Sequence, residues 1–147
     1  KDLTLSLGAS SANIMFNAQN KDRINKLKIE AGVSKLSVTG LSNANFDKLE
    51  FEGGVGTYTL DFSGNLSESA TAHLSLGIGK LLIRLPKNVS AKIHTDDSFI
   101  SSIRINESDF VRRSGGVYYS ASYDDTAPRL ELWIETGLGN LKIESIE

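Results

Sequence analysis

The chain has 147 residues, 39% of them hydrophobic and 23% charged, with a formal net charge of −2. That is enough for one domain with its own core. The absence of cysteine excludes disulfides, CxxC redox chemistry and thiolate metal sites. A pI near 5.7 with no basic run beyond Arg112-Arg113 argues against binding nucleic acid.

The first element is Leu3-Thr4-Leu5-Ser6-Leu7, whose strict alternation predicts a strand with one face inward. The residues ahead of it, Lys1-Asp2, carry no initiator methionine or leader, so the expectation is that an upstream segment was cleaved or left out. A stack beginning at residue three would otherwise offer an open edge for pairing. From here one phrase recurs: two alternating apolar residues, a small turn, then two more. The turns centre on Gly8, Gly32, Gly54, Gly77 and Gly137, and two residues after each centre stands Ser10, Ser34, Gly56, Gly79 or Gly139. Before them come Leu3/Leu5, Leu27/Ile29, Leu49/Phe51, Ala72/Leu74 and Leu132/Ile134. After them come Ala12/Ile14, Leu36/Val38, Tyr58/Leu60, Leu81/Ile83 and Leu141/Ile143. The first four centres are spaced 24, 22 and 23 residues apart, a period typical of stacked solenoids.

Between the strands, Gly, Asn and Ser supply turns, and no window carries a sustained helical period. Asn43 to Lys48 and Ser67 to Thr71 each suffice for one helical turn at most. The longest apolar run, Leu81-Leu82-Ile83, is far below the roughly 20 residues of a membrane helix. From Gly77 to Gly137 the glycine corner is lost, although Ile93 and Ile103/Ile105 keep a strand pattern. That interval of 60 residues reads as two degenerate coils followed by a closing one. The expectation is therefore all-β: a single-domain parallel β-solenoid over 1–147 of about six to seven coils, with little or no helix. Its regular coils would span about 3–92, irregular coils about 93–130 and the closing coil about 130–147. An antiparallel sandwich is the competing architecture, but it has no reason to repeat its inward residues in register.

The segments Glu52 to Gly64 (EGGVGTYTLDFSG), Leu76 to Pro86 (LGIGKLLIRLP) and Glu135 to Ile143 (ETGLGNLKI) resemble the toastrack-type domains. These form the C-terminal part of bacterial membrane-associated proteins, including the negative regulator of the Lia cell-envelope stress system. The chain is also similar to a broader set of adhesin-like domains of unknown function. The resemblance covers most of the chain, best over 27–92 and from 118 to the end. It implies a right-handed β-helix, tethered through an upstream membrane segment, without enzymatic activity, and it brings no catalytic motif.

Few residues invite a chemical reading. Gly77-Ile-Gly-Lys80 is a phosphate-loop fragment, but Lys80 runs into a strand where that loop needs a helix, and Gly54-Val-Gly56 fails as a dinucleotide fingerprint for the same reason. His94 stands close to Asp96-Asp97, but adjacent strand residues point to opposite faces, and a turn role explains the pair more simply. Asp124-Asp125 reads likewise as a polar loop before Pro128. No calcium loop is present. Arg112, Tyr118, Tyr119, Tyr123 and Trp133 are the candidate partner-contact residues, because rings beside arginines make large contact areas. The alternative is that the rings pack across the frayed coils, with Trp133 facing away from the core leucine beside it.

The functional expectation is a non-enzymatic, extracytoplasmic binding or scaffold module of a bacterial cell-envelope protein. No cofactor and no nucleotide are expected. Its partner would be a protein or a cell-wall polymer, and membrane contact would come only through a segment outside this chain. A self-assembling structural protein and, behind it, a β-helix carbohydrate-active enzyme are the alternatives.

Overall fold

The structure, a computed structural model, describes residues 2–8, 10–95, 102–105, 108–121 and 123–146. Among the described residues, ten strands share one sheet. They are β1 (Asp2–Leu7), β2 (Ser10–Met15), β3 (Ile24–Thr39), β4 (Phe46–Asp61), β5 (Ala70–Pro86), β6 (Ser90–Thr95), β7 (Ser102–Ile105), β8 (Phe110–Ser114), β9 (Val117–Ser120) and β10 (Arg129–Ile146). The fold is all-β, with one 3-10 turn at Leu41–Ala44. That turn lies earlier than the sequence implied. Asn45 takes a left-handed φ of 60° and ends it, and the buried Phe46 already opens β4. Ser67 to Thr71 holds no helical turn, since Ala70 starts β5.

The repeat becomes a parallel stack. β1 and β2 both pair with β3, one on each side of its corner, then β3 pairs with β4 and β4 with β5. Inward residues of equal phase fall on adjacent rungs: Leu3, Leu27, Leu49 and Ala72 before the corner, and Ala12, Leu36, Tyr58 and Leu81 after it. Leu36, Tyr58 and Leu81 are thus aligned, as the repeat required. Each is almost wholly buried, and burying such a side chain stabilises by about 1.5–3 kcal/mol.

Stack order differs from chain order after Pro86. β10 pairs directly with β5 along nearly its whole length, from Leu130↔Ala70 to Ile146↔Pro86. The two coils read into the interval before Gly137 are not interposed. Instead β6 and β7 lie on the far side of β10, pairing with its first and second halves. β8 and β9 then form an antiparallel hairpin, and β9 pairs antiparallel with β6. The physical reason is hydrogen bonding. β10 offers β5 one continuous ladder of equal length, whereas β6 and β7 have six and four residues and suit the end of the stack.

The corners explain their glycines. Gly56, Gly79 and Gly139 sit on successive rungs. Gly79 has φ 138°, and a Cβ there would run into the carbonyl oxygen of Gly56. Gly139 has φ 144° and stands in the same relation to Gly79. Inside the corner, the buried Tyr58 hydroxyl donates to the Gly32 carbonyl at 2.7 Å, and its ring meets Phe51 edge-on at 5.2 Å. At the other end of the rungs, Arg23 ties three turns together. Its guanidinium donates to Asn45 Oδ1 (3.1 Å) and to the Ser69 carbonyl (2.7 Å).

Candidate functional site

Parallel in-register rungs, about 4.8 Å apart, place outward residues of equal phase side by side. Four residues before each corner centre, this column runs Lys28, Glu50, His73, Trp133, His94. Rings in such a column must stack. The Trp133 and His94 rings are parallel within 1° with centroids 3.6 Å apart, and His73 lies on the other side at 6.2 Å and 8°. Trp133 is 41% exposed. Its face toward His94 is covered, so the indole meets solvent chiefly by its edge. His94 Nε2 lies 2.7 Å from Glu131 Oε2 on β10, which fixes the imidazole against the indole. Among the described residues, the carboxylate beside His94 is therefore Glu131. Asp96 and Asp97 lie outside the described residues.

A second cluster adjoins this ladder through the neighbouring column Glu131, Lys92, Tyr119. The Tyr119 and Tyr123 rings meet edge to face at 4.8 Å. Lys92 and Arg113 each sit 5.5 Å from the centroid of the Tyr119 ring, within cation–π range. The Arg129 guanidinium reaches the Tyr123 hydroxyl at 3.4 Å. Of the predicted contact residues, Tyr119, Tyr123 and Trp133 thus share one surface. Tyr118 does not join it, because it pairs with Ile93 and packs against the core. Arg112 is spent on the hairpin, its Nε donating to the Gly115 carbonyl at 2.7 Å. His73, His94 and Lys92 were not picked out as contact residues from the sequence. The signal was their phase, since His73 and Trp133 both stand four residues before a corner centre.

On the other flank of Trp133 lies a shallow groove of about 420 Å³ lined by Lys48, Glu50, Glu52, His73, Trp133 and Glu135. Asp124 is a turn group: its Oδ1 accepts from the Thr126 hydroxyl at 2.7 Å and from the Thr126 N–H at 2.9 Å, and these bonds hold its carboxyl below the usual carboxylate range. Gly77 to Lys80 lies within β5, so the phosphate-loop fragment is a strand corner. Among the described residues, no three His, Cys, Asp or Glu side chains are placed to hold a metal ion, and no helix is long and apolar enough to cross a membrane.

Residues 20–84 match the family model for the N-terminal domain of toast_rack, DUF2154. The chain resembles the toastrack-type domains. The matched stretch contains β3 and β4 and nearly all of β5, which are the most regular rungs. The fold is also that of a solved structure described as a putative cell adhesion protein from Clostridium sporogenes. The two share 17% sequence identity at a TM-score of 0.79, over 99% of this chain and 93% of the other. A search of curated protein sequences finds no match.

Proposed function

We propose that this chain is a non-enzymatic, adhesin-like binding module of a bacterial cell-envelope protein, displayed outside the cytoplasm and anchored through a part of the protein beyond this chain. Its frame is read as one right-handed β-solenoid of six coils. The handedness rests on the strong preference of parallel crossovers for that sense, and the toast_rack match and the adhesion-protein likeness support the assignment. The partner is a protein or a cell-wall polymer. The observation that carries the reading is the continuous surface of rings and cations from His73 through Trp133 and His94 to Tyr119 and Tyr123. The strands that carry His73, Trp133, His94 and Tyr119 each pair with a neighbour on both sides, so little ordering entropy is lost there when a partner docks.

Co-sedimentation with purified bacterial cell walls, with and without their surface proteins, tests it. The protein should pellet with at least one of the two preparations, and a Tyr119→Ser, Trp133→Ala double variant should pellet at least tenfold less while melting normally. Equal pelleting by both forms, or by neither, overturns the reading.

The groove holding Glu50, Glu52 and Glu135 favours one second reading, a carbohydrate-active enzyme. Glu52 and Glu135 flank the Ser75 rung, which puts their backbones about 10 Å apart on one face, within reach of a sugar ring bound between the two carboxyls. Release of sugar from cell-wall glycan that disappears in Glu52→Gln and Glu135→Gln variants would establish it. No release by the native protein would remove it.

A further inference from the structure

The glycine corner divides each long strand into two outward faces with different electrostatics. Before the corner, acids and bases interleave and pair: Lys26 with Glu50 at 3.2 Å, Lys28 with Glu30 at 3.2 Å, His94 with Glu131 at 2.7 Å. After the corner the described outward positions carry Lys35, Lys80, Arg84, Lys142 and Arg104. Against these five cations stand two carboxylates. Asp61 is buried and accepts the Ser63 N–H, whereas Glu144 binds Arg84 at 2.8 Å and Lys142 at 3.7 Å. Among the described residues, Lys35, Lys80 and Arg104 make no ion pair. A row of exposed aliphatic residues on the corner, Val55, Ile78 and Leu138, separates the two faces.

Three features show that this basic face is more than scattered surface lysines. Lys142 and Arg104 occupy directly opposed positions on adjacent rungs, where like charges destabilise a sheet. The protein as a whole is acidic, so the cations are segregated against the average. Three of them, Lys80, Arg104 and Lys142, also line one depression of about 410 Å³, together with Thr57, Thr59 and Leu82 among others. Threonine hydroxyls on β4 and a half-buried leucine on β5 thus lie beside cations on β5, β10 and β7, on rungs that follow one another along the stack axis.

We propose that this depression binds a linear polyanion, a chain of repeating phosphate or carboxylate groups laid along the stack axis. A chain fits better than a membrane plane, because three of the cations line one hollow and the one apolar residue within it that faces outward, Leu82, is half-buried. The site is separate from the ring-bearing face, so it stands or falls independently of the function proposed above.

The test is calorimetric titration of the intact protein with long-chain inorganic polyphosphate and with polygalacturonate, each at 50 and 300 mM NaCl. At least one polymer should bind at 50 mM and weaken tenfold or more at 300 mM, since phosphate or carboxylate contacts are screened by salt. Which polymer binds names the anion. A Lys80→Glu, Lys142→Glu variant should lose at least tenfold with an unchanged melting temperature, and a Lys80→Gln, Lys142→Gln variant should lose an intermediate amount. Tyr119→Ser with Trp133→Ala should bind as the native protein does. Binding of neither polymer, equal binding by the Lys80→Glu, Lys142→Glu variant, equal binding of neutral dextran, or binding of phosphatidylglycerol vesicles without either polymer would each overturn the proposal.

Discussion

From β3 to β5 each step along the chain is also one step along the stack, whereas from Pro86 to Arg129 the chain leaves the stack and returns inside it. The contrast shows that periodic sequence fixes phase, not order. β10 carries the same phase as β5, with Leu132 beside Ala72 and Ile134 beside Leu74, and that match allowed it to sit anywhere in the pile. Its position was decided by ladder length. Placed between β5 and the pair β6 and β7, it has both of its edges hydrogen-bonded, and the short strands are left at the end with a hairpin beside them.

The sharpest way to break the comparison is at the corners of the regular region. Gly139→Val should destabilise by about 3 kcal/mol or more, since it adds strain at a positive φ to a collision with the Gly79 carbonyl. Gly8 begins the neighbouring column of corner glycines, which runs on through Gly32, Gly54, Gly77 and Gly137, and at that open end a Cβ would meet nothing within 4 Å, so Gly8→Ala should change stability by about 0.5 kcal/mol or less. Chemical denaturation of both measures the difference. Equal effects would mean that β10 does not stack on β5 as described.

In the excursion, Phe110 of β8 is 2% exposed and packs into the core although its strand lies outside the parallel stack. If the hairpin is an integral cover for the end of the core, Phe110→Ala should cost about 3–5 kcal/mol, as for a core phenylalanine. A loss below about 1 kcal/mol would show the hairpin to be an ornament on a stack that is stable without it.

A smaller effect with the opposite sign is expected back in the stack. Among the described residues, Thr136 Oγ1 is buried without a partner, on the rung next to Leu76. Thr136→Val keeps the shape and removes the unsatisfied hydroxyl, so it should stabilise by about 1 kcal/mol. A lower melting temperature would show that the hydroxyl has a partner after all. The smallest effect belongs to the excursion's loop. The depressed Asp124 carboxyl contributes stability that is present above its unfolded value of 3.8 and is lost as pH falls through its lower folded value. Thermal melts should therefore separate native protein from Asp124→Asn above about pH 4 and converge as pH falls further, through the lower folded value. A constant difference down to pH 2 would contradict this.

The sequence by itself determined the corners and the inward set. Leu27, Leu49, Tyr58, Leu81 and Leu141 could be assigned to the core because period-2 alternation and a glycine at a bend are local chemistry, readable a few residues at a time. The two candidate surfaces were only partly legible. Trp133 could be placed outward, but the imidazoles on either side of it come from positions 60 and 39 residues earlier in the chain. Tyr118 looked equivalent to Tyr119 until pairing with Ile93 turned it toward the core. The basic face was hidden because Lys80, Lys142 and Arg104 are single cations in three separate strands. Only the tertiary structure decides which strand lies beside which, since rungs of equal phase are interchangeable until backbone hydrogen bonds along their full length choose among them.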